Sequence, residues 1–386
     1  MSKAHSILFV RPDYHCSFIY RDSFRRAGWQ ADVFVPLTYP ENLLYSNHDI
    51  IRPVQIITGT SKIALILNHV SLIFCWLIVF WRYKFHVYYG RPPLVSFLES
   101  RIGLCKLFGD GFSIELWLSR LLRRKLIFLP TGCHDEESKS VFSLLDDGNV
   151  CNNCGAWNSC DDSKNNLNFV RIHRYFDCVI GTGTIDSTQF PMQHIRYKAI
   201  DLEKWHPDIE VPSEHVLPTT KNIRVLHSAY LSKSNRSWQG RNIKGSPSII
   251  SAIKRLKNEG YAIDYFFIHN KPSNVMRFYQ AQADIVVDQL IYGWWGSTFV
   301  ETSALGKPVV CYLRNSWKTF FFKVFPEYRT LPVIEANTST IYSVLKELVE
   351  NEDLRRIKGI ESRQFAELHF NPDQNTRDFI RLLESL

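Results

Sequence analysis

Between Asp284 and Leu313 the chain reads DIVVDQLIYGWWGSTFVETSALGKPVVCYL, the stretch whose residue types and spacing point most directly to chemistry. Ile285–Val287 reads as a buried strand, Tyr292–Gly296 as a Gly/Trp loop and Ser297–Leu305 as a short helix. Gly306 supplies the left-handed residue that ends the helix, and Pro308–Leu313 is a second buried strand. A strand, a glycine loop and a helix start aim backbone N–H groups and the positive end of a helix dipole at one point, which favours a bound anion. Glu301 sits about one turn into that helix, too close to the anion point to be there for phosphate. Its carboxylate can accept two sugar-hydroxyl hydrogen bonds, as the acidic residue of a dinucleotide site does for ribose. Equally, it can serve the helix N-terminus by charge alone.

Two further clusters hold reactive side chains. Lys125–Gly132 reads as a strand that ends in Thr131, Gly132, Cys133, His134, Asp135 and Glu136. Ionisable groups just past the carboxyl end of a strand are placed for catalysis, and His134 or Asp135 can contact or deprotonate an acceptor hydroxyl. The competing role for Asp135 is to cap a helix. Downstream, Cys151 and Cys154 form a CxxC with Cys160 six positions on, in a Gly/Asn-rich loop. That spacing fits a structural zinc knuckle or a set of free thiols, and a fourth ligand would come from Cys133, His134 or His173.

These residues need a scaffold. With 386 residues the chain suits two domains, and 45% apolar content with ten Trp, seventeen Tyr and 26 Phe fills two cores. A net charge of +8 favours anionic partners, either phosphates or an anionic membrane surface. No nucleic-acid-binding motif is visible, so nucleic acid is not expected as a partner. The first residues run straight into a strand without a signal-peptide layout, which predicts a cytoplasmic protein. Ser6–Val10 and Ala31–Pro36 read as strands around a helix at Ser17–Gly28. The loop after the first strand carries His15, either a substrate contact or a solvated loop histidine. Ile63–Trp81 is the most apolar stretch; Asn68 and His69 inside it favour a buried or membrane-surface helix over a span. Leu116–Lys125 adds a basic amphipathic segment that suits anionic lipid.

The alternation of strands and helices runs once from residue 1 to 200, with a Cys-rich loop at 133–160, then pauses in a proline-rich hinge at 201–221. It restarts over 222–370, and a last helix in 371–386 is free to pack back on the first half. Two such runs predict an α/β protein of two doubly wound, Rossmann-like sheets facing each other across an interdomain cleft.

The 284–313 run resembles the donor-sugar motif of GT-B glycosyltransferases, in particular the family-4-like (group 1) enzymes of bacterial polysaccharide synthesis. Arg241-Asn-Ile-Lys244-Gly245-Ser246, after a strand ending in His227-Ser228, looks like the family's Lys-Gly-Thr/Ser phosphate element. LIFLPTGCHDEE and YKAIDLEKWHP are similar to the family's first-half loop and its strand into the hinge. The resemblance implies that Glu301 binds a nucleotide ribose, and that Gly296, Ser297 and Thr298 offer N–H and hydroxyl groups to a diphosphate. It implies that Arg241 and Lys244 neutralise the leaving diphosphate with no metal required, alongside Ser228, Gly245 and Ser246, and that Asn270 lies near the base. The family's pair of glutamates eight positions apart is broken here, since position 293 is glycine; Asp288 and Gln289 are the available stand-ins.

The reading is therefore a transferase that moves a hexose from a nucleotide-diphosphate sugar to a lipid-linked or glycan acceptor, peripheral on the cytoplasmic membrane face. The resemblance implies retention, with Asp135 or His134 as base if the course is inverting. A nucleotide-sugar 2-epimerase of the same fold and a non-catalytic membrane-associated scaffold are the alternatives.

Overall fold

The computed structural model describes residues 5–37, 45–46, 49–59, 61–90, 92, 108–155, 160–229, 237–238 and 241–386. Two parallel sheets organise the chain. The first takes β1 (Ser6–Val10), β2 (Gln30–Phe34), β3 (Ile50–Ile51), β4 (Phe85–Tyr89), β5 (Lys125–Leu129), β6 (Cys178–Gly181) and β7 (Gln193–His194), in the order β3-β2-β1-β4-β5-β6-β7. The second takes β8 (Ile223–Ala229), β11 (Ile263–His269), β12 (Ile285–Val287), β13 (Val309–Cys311) and β14 (Ile334–Glu335), in the order β11-β8-β12-β13-β14. A short hairpin, β9 (Ser237–Trp238) and β10 (Arg241–Asn242), stands apart from both.

Described helices of the first half are α1 (Cys16–Arg26), α2 (Lys62–Phe80), α3 (Ile114–Leu121), the short turns α4 (Cys133–Glu136), α5 (Lys139–Phe142) and α6 (Asn149–Asn152), and α7 (Asp162–Tyr175). Those of the second are α8 (Ser246–Asn258), α9 (Ser273–Ala281), α10 (Ser297–Ala304), α11 (Asn315–Val324), α12 (Ile341–Glu350), α13 (Glu352–His369) and α14 (Pro372–Glu384). Central strands such as SILFV and IVV are buried throughout, as sheets covered on both faces require. Strand order reverses between β1 and β4 in one sheet and between β8 and β12 in the other. Open α/β sheets place ligands at the carboxyl ends of such switch points, so each half presents one crevice.

Several expectations change on folding. The strand into the hinge that YKAIDLEKWHP suggests is not formed: the ladder ends at Gln193–His194, and Tyr197 and Ala199 fill the first core. Helices α7 and α11 were not anticipated. The last helix does return to the first half: Phe379 meets Tyr20 and Phe24 edge-on at 5.6 Å each, and Asp373 accepts from Ser23 and Arg26.

Helix α2 packs one face on the first sheet through Leu72, Trp76, Val79 and Phe80. Its polar residues are used locally. Ser61 caps it, Asn68 bonds the backbone of Ile56 and Ile57, and Ser71 donates to the Val54 carbonyl. By length and composition it could cross a bilayer, yet it lies as a layer of the domain with only 28% of its apolar window buried. Ile63, Leu65, Ile66, Val70, Phe74, Leu77, Ile78 and Trp81 remain exposed.

Candidate active site

The two crevices meet. At the carboxyl ends of β8, β11 and β12 lies a cavity of about 390 Å³, lined by Ser228, Lys244, Asn270, Gly296, Ser297, Thr298 and Glu301 from the second half. Tyr14 and Thr131, from the loops after β1 and β5, close it from the first half. Seven residues singled out from sequence, drawn from four separate segments, thus share one hollow.

Local chemistry explains how each is held. Gly245 precedes α8 with φ +74, and a Cβ there would approach Leu290 to 2.9 Å, so only glycine makes this turn without strain. Ser246, expected at the ligand, instead bonds the ring of buried His227 at 2.7 Å and accepts from Asn242 at 2.8 Å. His227 also reaches the Val287 carbonyl at 2.9 Å, and burial pushes its pKa down to about 4. Neither Gly245 nor Ser246 lines the cavity; they brace the loop that carries Lys244. The side chain of Arg241 lies outside the described residues, and its backbone forms β10.

Lys244 reaches the start of α10, where its ammonium pairs with Asp288 at 2.5 Å. The other oxygen of Asp288 accepts from the Gly296 N–H at 2.7 Å. Asp288 is fully buried and does not line the cavity, whereas Gln289, the other available stand-in for the missing glutamate, borders it and donates its amide to the Trp294 carbonyl. Gly293 has a reason of its own: φ is +91, and a Cβ would come within 3.1 Å of Arg314.

Glu301 is buried at the inner end of the cavity. Gln280 donates to it at 2.9 Å, and His15 Nδ1 lies 3.6 Å from its second oxygen. Burial is the main cause that raises its pKa to about 8, with the charge of Asp288 adding to it, so the carboxyl is protonated at neutral pH. His15 is not the solvated histidine of the alternative reading. It is buried against Trp205 at 5.5 Å, and burial lowers its pKa to about 4.

Asp135 and His134 are corrected. Asp135 is buried and accepts from the Thr131 amide and hydroxyl at 3.0 and 2.9 Å; its other oxygen lies 3.4 Å from His134. Neither lines the cavity described above; the carboxylate in the first turn of α4 takes the Thr131 amide and hydroxyl and so fixes Thr131, which does line it. The zinc expectation finds no geometry either. Among the described residues no group of three His, Cys, Asp or Glu side chains is arranged to hold a metal. Cys133 and Cys151 turn toward the second-half core, where thiols pack as small apolar groups.

A second hollow of about 200 Å³ adjoins the first, and Tyr14, Thr131, Gln289, Gly296 and Ser297 line both. Its walls are Tyr292, Trp294, Trp295 and Trp317 from one half and Thr182, Thr184, Tyr197 and Glu136 from the other, with Lys198 paired to Asp13 at 2.8 Å. Sequence reasoning placed Tyr14 and Thr131 in loops at the carboxyl ends of strands without giving either a role, and missed the Lys271-Pro272-Ser273 loop after β11. Their signal was position alone, at the carboxyl ends of strands.

No protein-family model and no curated protein matches the sequence. Solved structures do match in shape. Sucrose-phosphate synthase from Thermosynechococcus elongatus superposes with a TM-score of 0.59 at 12% identity, covering 99% of this chain and 98% of that one. Anabaena HepE in complex with UDP-glucose gives 0.58 at 14% identity, covering 99% and 100%. The chain has the GT-B fold. In GT-B terms the two halves are the facing Rossmann-like domains, and the paired hollows lie in the cleft between them.

Proposed function

We propose that this GT-B protein is a glycosyltransferase that moves a sugar from a nucleoside diphosphate donor onto a glycan or lipid-linked acceptor at a membrane surface. The observation that carries it is the convergence of Lys244, the start of α10 with Ser297 and Thr298, and buried Glu301 in one cavity that adjoins an aromatic second hollow. The donor diphosphate would lie across the N–H groups of Ser297 and Thr298 beside Lys244. There negative charge growing on the leaving phosphate meets fixed dipoles and a cation. Protonated Glu301 both donates and accepts, which suits ribose hydroxyls, and Asn270 and Lys271 border the base end.

Aromatic rings with a few hydroxyls and the carboxylates of Asp13 and Glu136 suit the apolar faces and polar rims of an acceptor sugar in the second hollow, an end that a 2-epimerase would not need. Among the described residues shared by both hollows there is no carboxylate and no imidazole. That supports a retaining course in which the donor phosphate takes the acceptor proton. Glu136, which borders the second hollow, is the carboxylate to substitute if the product proves inverted.

Membrane placement rests on α2. Its exposed face continues into Val54 and Ile56 of the strap that Asn68 and Ser71 bind, with exposed Lys62 and Arg82 at its ends. An apolar face of this size with basic flanks suits a lipid interface, on the cytoplasmic side if the donor is cytoplasmic.

A screen of UDP-, GDP- and ADP-sugars by calorimetry and donor hydrolysis tests the reading. Binding of one nucleotide class, with hydrolysis or transfer of its sugar, is expected. A chain that binds none of them is no transferase.

A further inference from the structure

The cation expected to receive a phosphate is already neutralised from within. Asp288 follows β12, is fully buried, and divides its two oxygens between the Lys244 ammonium at 2.5 Å and the Gly296 amide at 2.7 Å. These are the two kinds of donor that an incoming phosphate seeks at a helix start. The pair stands at the cavity wall and not in a remote core: Lys244, Gly296, Ser297 and Thr298 all line the hollow.

We propose that Asp288 is a specificity-determining residue: a resident counter-anion that cancels the charge of Lys244 and holds the Gly296 amide just before α10, so that free phosphate or pyrophosphate is bound poorly. Only a ligand that also reaches Glu301 and the Asn270 loop is retained. The inference rests on reading the cavity as a nucleoside diphosphate sugar site. Its physical basis is a difference of affinities. A bare anion draws only on charge and helix-start amides, and both are reduced by a carboxylate within van der Waals distance. A nucleotide adds base and ribose contacts that Asp288 does not oppose. Such a site suits a protein that must find its donor among far more abundant inorganic anions.

The test titrates sodium pyrophosphate alone, and separately UDP, GDP and ADP, into the full-length chain, Asp288→Asn, and the double variant Lys244→Met/Asp288→Asn at one fixed low ionic strength. Asparagine keeps an acceptor for the Gly296 amide and removes the charge together with the oxygen that faces the Lys244 ammonium. Asp288→Asn is expected to bind pyrophosphate roughly tenfold or more tightly than the unchanged chain. The double variant, with the same net charge as the starting protein, is expected to return to about its affinity. Unchanged or weaker pyrophosphate binding by Asp288→Asn overturns the proposal. Should that variant not fold, the double variant decides: a tenfold loss of pyrophosphate binding relative to the unchanged chain would show that Lys244 was never neutralised. Failure of every form to bind UDP, GDP or ADP defeats the nucleotide reading instead, and the pyrophosphate comparison still decides the role of Asp288.

Discussion

Glu301 shows how far a side chain's chemistry depends on its surroundings. In sequence it is a carboxylate in the first turns of a helix; in the fold it is buried, faces Gln280 and His15, and its pKa climbs to about 8. The folded state therefore keeps a proton that the unfolded chain releases near pH 4.3, and stability contributed by this group falls as pH rises between the two values. The limiting slope is about 1.4 kcal/mol per pH unit. Buried His15 and His227, both lowered to about 4, act with the opposite sign and weaken the fold as pH falls below about 6.5. The difference between wild type and Glu301→Gln isolates the first effect. Urea denaturation from about pH 5 to 8 should show Glu301→Gln gaining relative stability as pH rises, whereas parallel curves would mean the carboxyl carries no extra proton. Asp135 went the other way. Its position past a strand looked catalytic, but the amide and hydroxyl of Thr131 in its own turn bind it.

At the scale of the element, α2 is the one whose sequence and environment disagree with a soluble surface. Phe74 and Leu77 are 66% and 42% exposed, on the face opposite Trp76 and Phe80. Replacing both with serine should leave thermal stability within about 0.5 kcal/mol, since surface positions contribute little to the folded state. It should lower the share of protein recovered with anionic vesicles in flotation. Equal recovery would remove α2 from the membrane contact. Salt is expected to release part of the bound protein, because Lys62 and Arg82 act through screened charge.

For the whole molecule, the question is what holds the two domains at the spacing that makes one cleft of two crevices. The described residues give a specific answer in the segment from α5 to α6. Asp146 accepts from Arg314 at 2.8 and 2.9 Å and from Tyr312 at 3.2 Å, while Phe142 stacks on Tyr292 at 6.0 Å. Arg314 is 4% exposed, so its guanidinium depends on that partner. Asp146→Ala should cost about 1–3 kcal/mol, less than a wholly buried pair because Asp146 keeps some water, and should weaken nucleotide binding by loosening the cleft. Arg314→Met removes the buried charge as well and should cost less. A neutral Asp146→Ala, by melting and by calorimetry, would mean the cleft is set elsewhere.

The two-sheet architecture was legible because its signals are local. Buried parallel strands must be apolar runs, helix starts and glycine ends follow from backbone geometry, and the 284–313 unit has all of them in order. Most residues of the first cavity were legible for the same reason, since the carboxyl end of a strand is a place sequence can mark. What only the tertiary structure decided were the partners. Ser246 turned to His227, Asp288 to Lys244, and Cys151 to an apolar core, because each side chain bonds to whatever lies within a few ångströms, and those neighbours come from segments far apart in the chain.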